Sequence, residues 1–226
     1  MPPTLSVVIP TLNAATALPG TLAALAPWGP GLEVVVADGG SDDGTPDAAR
    51  ALGARVVMGP RGRGPQLAAG ADAAVGDWLL FLHADTRLDP AWAAAARSVM
   101  AGPANRERAA WFRFALDDPD PRARRLERAV AWRCRALALP YGDQGLLLHR
   151  DLYRAVGGYR PLPLMEDVDI VRRIGRDRLV GLDVAAVTSA AKWRRDGWTL
   201  RSARNLCCLS LWYLGVPPRL IAKVYG

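Results

Sequence analysis

Four short apolar runs mark the first 85 residues, at 5–9, 32–37, 55–58 and 78–82, and alanine-rich stretches of helical character separate them at 14–26, 45–52 and 65–75. Several of the runs are rich in valine, and most lack strict alternation, which is the pattern of strands buried on both faces. Strand and helix in regular turn imply βαβ units, hence an α/β fold around a parallel sheet. A further alanine-rich helix is expected over 89–100, with Asp89 as N-cap and Pro90 at its first position.

The second half is less regular. Residues 110–116 alternate as a strand does, and 121–139 read as an amphipathic helix with Leu126, Val130, Cys134 and Leu137 on one stripe. Strands are expected at 145–148 and 180–187, and helices at 166–176 and 199–214. Only 102–108 and the acidic 117–121 look like linkers. At 226 residues the expectation is one domain. Residues 1–100 form its mononucleotide-binding half, 101–198 its partner-binding half and 199–226 a helical C-terminal extension.

In such a sheet ligands gather at the carboxyl ends of the parallel strands. The first run is followed by Pro10-Thr11-Leu12-Asn13, the second by Asp38-Gly39-Gly40-Ser41-Asp42-Asp43-Gly44-Thr45, the third by Gly59 to Gly64 with Arg61 and Arg63, and the fourth by His83-Ala84-Asp85. All four ends are polar, glycine-rich or acidic, and their residue types suit a nucleotide diphosphate. An aspartate at the end of the second strand can accept hydrogen bonds from a base or ribose. Arginines in a glycine-rich loop can grip phosphate oxygens in bidentate fashion. The Asp85 carboxylate is a hard oxygen ligand of the kind that holds Mg²⁺ or Mn²⁺ on a diphosphate. His83 can be a metal ligand, a diphosphate donor or a buried strand-end residue. Farther on, Glu166-Asp167-Val168-Asp169 offers either a favourable acidic first turn of a helix or a general base whose pKa is raised by its neighbours. Tyr141-Gly142-Asp143-Gln144-Gly145 is a third polar segment, or a tight turn before a strand.

Composition removes several chemistries. The two histidines and the two lysines, Lys192 and Lys223, supply neither a multi-histidine zinc site nor a Gly-Lys phosphate loop, and no serine sits in a GxSxG elbow. The three cysteines form no CxxC pair, which fits a reducing compartment. Net charge is +7 and uneven: residues 121–135 carry six arginines against one glutamate, and 192–226 seven positive charges against one negative. Two basic segments on a mildly acidic body imply either an anionic partner or a solvated arginine face. The N-terminus lacks the basic region of a signal peptide, and cytoplasmic localisation is expected. The apolar run 206–216 is too short to span a bilayer and reads as a core helix, with a membrane-surface position as the alternative.

Val7 to Asn13, Asp38 to Thr45, His83-Ala84-Asp85 and Glu166-Asp167, in that order and spacing, resemble the family 2 glycosyltransferases of the GT-A fold. More narrowly, Gly62-Arg63 with Gln66 and Gly70, Leu82 to Thr86, Tyr141 to Gly145 and Leu214-Gly215-Val216-Pro217 resemble a small bacterial subgroup associated with radical-SAM/selenodomain proteins or arsenosugar biosynthesis. The resemblance implies a Rossmann-like mixed, mostly parallel sheet flanked by helices, and inverting transfer from a nucleotide-diphosphate sugar, most often UDP-linked. Pro10, Thr11, Asn13, Asp38 and Gly39 would hold base and ribose, and Arg63, Gln66, His83 and Ala84 the diphosphate side. Asp85, with His83, would bind Mg²⁺ or Mn²⁺, and Asp167 beside Glu166 would deprotonate the acceptor. Asp143, Gln144 and Trp193 would face that acceptor, a small molecule or a lipid-linked one met at the inner membrane face; nucleic acid is not expected. The chain departs from the family pattern at His83, where the metal motif has aspartate, and at Ala14 and Ala68. The alternative is a nucleotide-binding protein on a degenerate scaffold.

Overall fold

The computed structural model describes residues 3–225. Eight strands form one sheet in the order β3-β2-β1-β4-β7-β6-β8-β5. The strands are β1 (Leu5–Thr11), β2 (Glu33–Asp38), β3 (Arg55–Met58), β4 (Trp78–Phe81), β5 (Thr86–Leu88), β6 (Ala109–Leu116), β7 (Leu146–His149) and β8 (Leu179–Thr188). The first four pair in parallel. β7 runs antiparallel between β4 and β6, β8 lies parallel to β6, and β5 closes the edge antiparallel to β8. Six strands therefore point the same way. The carboxyl ends of β1, β2, β3, β4, β6 and β8, the start of β7 and the start of β5 all lie along one rim, which is why distant polar segments meet there.

The helices are α1 (Leu18–Ala23), α2 (Thr45–Ala51), α3 (Arg63–Ala73), α4 (Trp92–Ala101), α5 (Pro121–Leu137), α6 (Arg150–Ala155), α7 (Glu166–Ile174), α8 (Ala191–Asp196), α9 (Trp198–Tyr213) and α10 (Pro218–Tyr225). Alternate residues of each central strand feed opposite layers. Val7, Ile9, Leu80 and Phe112 pack with Leu18, Trp92 and Ala96 on one face. Val8, Val35 and Leu79 pack with Leu67, Ala71, Ile170 and Ile174 on the other. A third cluster joins Phe114 and Leu116 to Val130, Cys134 and Trp193. A fourth joins Leu164, Met165 and Val168 to Cys208, Leu209 and Ile221, and ties α9 and α10 to the body.

Four sequence expectations change. The helix expected at 14–26 shrinks to α1, because the amides of Asn13, Ala14 and Ala15 are taken by Ser41 Oγ, Thr45 Oγ1 and Asp43 Oδ2 of the next loop. α4 begins two residues late, with Ala91 and not Asp89 at its N-cap; the Asp89 carboxylate accepts from the Ala91 amide at 3.0 Å in the turn before the helix. Leu137 is 47% exposed and lies off the buried stripe of α5. The run 206–216 is not a core helix: Cys208 and Leu209 are buried, but Leu206 and Leu214 are 64% and 79% exposed. Among the described residues no helix is long and apolar enough to cross a membrane.

Candidate active site

A cleft opens on the rim where β4, β7 and β8 meet the C-terminal helices, with a cavity volume of ≈ 100 Å³. Arg63, His83 and Asp85 line its sheet side, Tyr141, Asp143 and Asp167 its middle, and Lys192, Trp193, Arg201, Asn205 and Tyr225 the wall supplied by α8 to α10.

The β2 loop is built around Asp38. Its carboxylate is fully buried and accepts from Thr11 Oγ1 (2.9 Å), the amides of Gly40 and Ser41 (2.9 and 2.8 Å) and Ser41 Oγ (2.6 Å). Burial alone would raise this carboxyl. The donors around it outweigh burial and hold it below the usual carboxylate range. Gln66, 2% exposed, sends its Nε2 to the carbonyls of Thr11 (2.5 Å) and Ala37 (2.9 Å), bolting the ends of β1 and β2 together. Asp38, Thr11 and Gln66 therefore shape the loop from within, whereas the sequence put their side chains on a ligand. Pro10 and Gly39 are likewise buried, and Ala84 gives its carbonyl to Thr21 Oγ1. Asn13 is exposed at the loop edge, where its Oδ1 accepts from the Asp42 amide.

Arg63 opens α3, and its Nε meets Glu166 Oε1 at 3.0 Å. The close approach is fixed by Gly64, where a Cβ would collide with the Arg160 carbonyl. Glu166 is 1% exposed; burial raises its carboxyl, and Arg63 only partly counters this. Glu166 is thus the member of the acidic cluster whose pKa is raised, and it stands behind Arg63, not on the cleft. Asp169 is also structural, paired with Arg173 (2.6 Å) and Arg160 (3.2 Å). Asp167 alone of the three faces the cleft. Its Oδ2 accepts from the Gly142 amide at 3.0 Å and its Oδ1 from the Val168 amide at 2.8 Å. Met165, at the N-cap of α7, holds φ 67°, a left-handed conformation strained for a side-chain-bearing residue.

His83 packs against Gly142 so closely that a Cβ there would lie 2.5 Å from Nε2. Burial, with the Arg63 and Lys192 cations, pushes the imidazole down to about 4, so it is neutral near pH 7. Asp85 Oδ2 holds Lys192 Nζ at 3.0 Å. Burial would raise Asp85, but Lys192 and His83 more than offset it and keep the carboxyl low. Asp143 is raised to about 6, chiefly by burial.

The turn at 141–145 is held from behind. Gln144 is 2% exposed and spends its amide on Phe112 O (3.1 Å), Arg133 Nη2 (3.1 Å) and the Tyr141 amide (3.2 Å). It supports the turn and does not face the cleft; Asp143 and Trp193 do. Arg133, from the basic segment, stacks 3.5 Å over the Tyr141 ring, so part of that segment's charge is structural. Three buried atoms on the cleft residues have no protein partner: Asp143 Oδ1, Trp193 Nε1 and Arg201 Nε. Lys192, Arg201, Asn205 and Tyr225 were not legible as site residues. The signals were the basic character of 192–226 as a whole and the rarity of lysine in an arginine-rich chain.

The chain matches Glycosyl transferase family 2 over residues 6–130, more than half its length. It is 42% identical over 94 residues to the PGL/p-HBAD biosynthesis glycosyltransferases of Mycobacterium bovis and Mycobacterium tuberculosis, a stretch that spans 38% of this chain and 37% of those relatives. Its fold is similar to glucosyl-3-phosphoglycerate synthase from Mycobacterium tuberculosis, solved with Mn²⁺, UDP and glucosyl-3-phosphoglycerate (TM-score 0.64, 22% identity, 95% of this chain and 81% of that one). It is also similar to a mannosyltransferase from Pyrobaculum calidifontis, solved with GDP-Man and Mn²⁺ (TM-score 0.66, 20% identity, 99% and 69%). The fold is GT-A, as the sequence implied. The chain belongs to glycosyl transferase family 2.

Proposed function

We propose that the protein transfers a sugar from a nucleotide-diphosphate donor, UDP-linked by preference, to an acceptor hydroxyl with inversion. The observation that carries this reading is the convergence of Arg63, Asp85 and Asp167 on one cleft from three elements distant in sequence. The loops after β1 and β2 supply backbone groups to base and ribose, shaped by Asp38 and Gln66. Arg63, oriented by Glu166, and neutral His83 donate to the diphosphate. Asp167, steadied by the Gly142 amide, takes the acceptor proton as the sugar's bond to the diphosphate breaks. Among the described residues no group of three or more His, Cys, Asp or Glu side chains could hold a metal ion. The donor set still fits Mg²⁺ or Mn²⁺ at Asp85, with His83 beside it, because such ions are commonly held by one or two carboxylates completed by phosphate oxygens and water. When bound, the ion supplies positive charge to the leaving diphosphate.

The unpartnered Asp143 Oδ1, Trp193 Nε1 and Arg201 Nε support an acceptor end between the 141–145 turn and the C-terminal helices. Leu200, Leu206, Leu220 and Val224 are exposed on helices that also carry Arg204, Arg219 and Lys223, and Leu214 is exposed in the turn between those helices. This favours a lipid-linked acceptor met at an anionic membrane surface; failure to sediment with anionic liposomes at low salt removes that idea. The central test is UDP release from UDP-sugars with Mn²⁺. Asp167→Asn is expected to lower it by about 10²–10⁴-fold with UDP affinity retained, and full turnover in that variant refutes the assignment.

A further inference from the structure

We propose that Lys192 guards the metal position. In the nucleotide-free protein its ammonium holds Asp85, and it passes to the donor diphosphate when metal and nucleotide enter together. The proposal rests on the donor-site reading above and names a residue that reading does not use. Lys192 Nζ lies 3.0 Å from Asp85 Oδ2, with the lysine side chain 53% exposed and the carboxylate 21% exposed, so the pair sits at the mouth of the cleft. The root of the lysine is fixed to the strand end it guards. The Ser189 amide donates to the Asp85 carbonyl (3.3 Å), and the Ala190 amide donates to Asp117 Oδ1 (2.6 Å). The ammonium therefore needs only side-chain rotation to exchange one anionic partner for another.

Charge accounting on the cleft singles it out. Arg63 is already matched by buried Glu166, and Arg201 by Asp196 at 2.6 Å. Lys192 is the cleft cation whose partner is the carboxylate expected to hold the metal. A lysine ammonium is a compact point charge with three rotatable donors, and leaves a carboxylate for a phosphate without the two-bond fork an arginine would have to break. A divalent ion arriving alone meets one carboxylate already paired with a cation. A diphosphate arriving with the ion gives Lys192 a second anion and gives the ion further oxygens. Metal and nucleotide must then strengthen each other's binding, and by linkage the coupling is the same in both directions.

The experiment uses the full chain, wild type and Lys192→Met, which keeps the apolar stem, with Lys192→Gln as a second variant. Mn²⁺ alone is titrated by electron paramagnetic resonance, then UDP by calorimetry with and without Mn²⁺. Removing the ammonium is expected to raise affinity for Mn²⁺ alone by about tenfold and to lower affinity for UDP with Mn²⁺ by about tenfold, the scale of one charge-assisted contact. The gain in Mn²⁺ affinity is expected to vanish when Asp85→Asn is added. Unchanged Mn²⁺ affinity in both variants, or a gain that survives Asp85→Asn, overturns the proposal. Wild type that binds neither uridine, guanosine nor thymidine diphosphate with Mn²⁺ overturns the donor reading instead, and the Mn²⁺-alone titration still decides the role of Lys192.

Discussion

Gly142→Ala puts one methyl group where two parts of the site touch. The new Cβ would stand 2.5 Å from His83 Nε2 and 3.1 Å from Cε1, while ordinary contact begins at 3.4 Å. The imidazole or the turn must therefore give by about 1 Å, an overpacking that costs about 1–3 kcal/mol. Neither side yields freely. The Thr86 amide is bonded to the His83 carbonyl and the Leu82 amide to Val8, while the Gly142 amide is held by Asp167. For a chain of this size Tm is expected to fall by about 2–12 °C. If the turn moves, Asp167 loses its 3.0 Å donor, and a displacement near 1 Å at the reacting groups lowers turnover by about 10²-fold. Thermal unfolding and UDP release measure the two effects. The decisive comparison is with His83→Ala, which removes the ring: Gly142→Ala in that background should cost at least about 1 kcal/mol less than in wild type. Strictly additive stability losses, or a Gly142→Ala protein with wild-type Tm and turnover, refute the argument.

Gln66→Leu keeps much of the side-chain bulk but leaves the Thr11 and Ala37 carbonyls without their donor, at about 1–3 kcal/mol each. A Tm drop of roughly 4–24 °C is expected by calorimetry, and a drop below about 2 °C contradicts it. Asp143→Asn tests the buried carboxyl. Its pKa, raised from 3.8 to about 6, means the folded state keeps a proton that the unfolded state has released, so stability falls as pH rises from about 4 to about 6. Asp85 and Asp167 add to the rise, while Arg133 and Arg63 oppose it. The variant should match wild type in urea midpoint at about pH 4 and exceed it at pH 7.5; a less stable variant at pH 7.5 reverses the sign.

The first half of the chain could be read because its determinants are local. Runs such as 5–9 and 78–82 are apolar enough to demand burial on both faces, and the polar groups after them are placed by strand direction alone. What escaped depends on partners far along the chain. β5 is three residues long and exists through β8, with Thr86 and Thr188 sharing a 2.8 Å hydroxyl contact. Asp38, Gln66 and Gln144 carry side chains that suit a ligand, and only packing reveals that backbone groups and neighbouring side chains consume them. Glu166 and Asp167 are adjacent acids; the step of about 100° between neighbours on a helix sends one behind Arg63 and the other into the cleft. Lys192 and Arg201 reach the site because α8 to α10 fold back over it, which no local pattern announces.

The two sides of the cleft have separate foundations. Arg63 at the start of α3 and His83 and Asp85 after β4 lie within the stretch that matches the family, whereas the opposite wall lies beyond residue 130 and has its own apolar cluster around Cys208, Leu209 and Ile221. The cluster under α9 and α10 shares no residue with the layers around β1 and β4, so substitutions there act on packing that the central strands do not use.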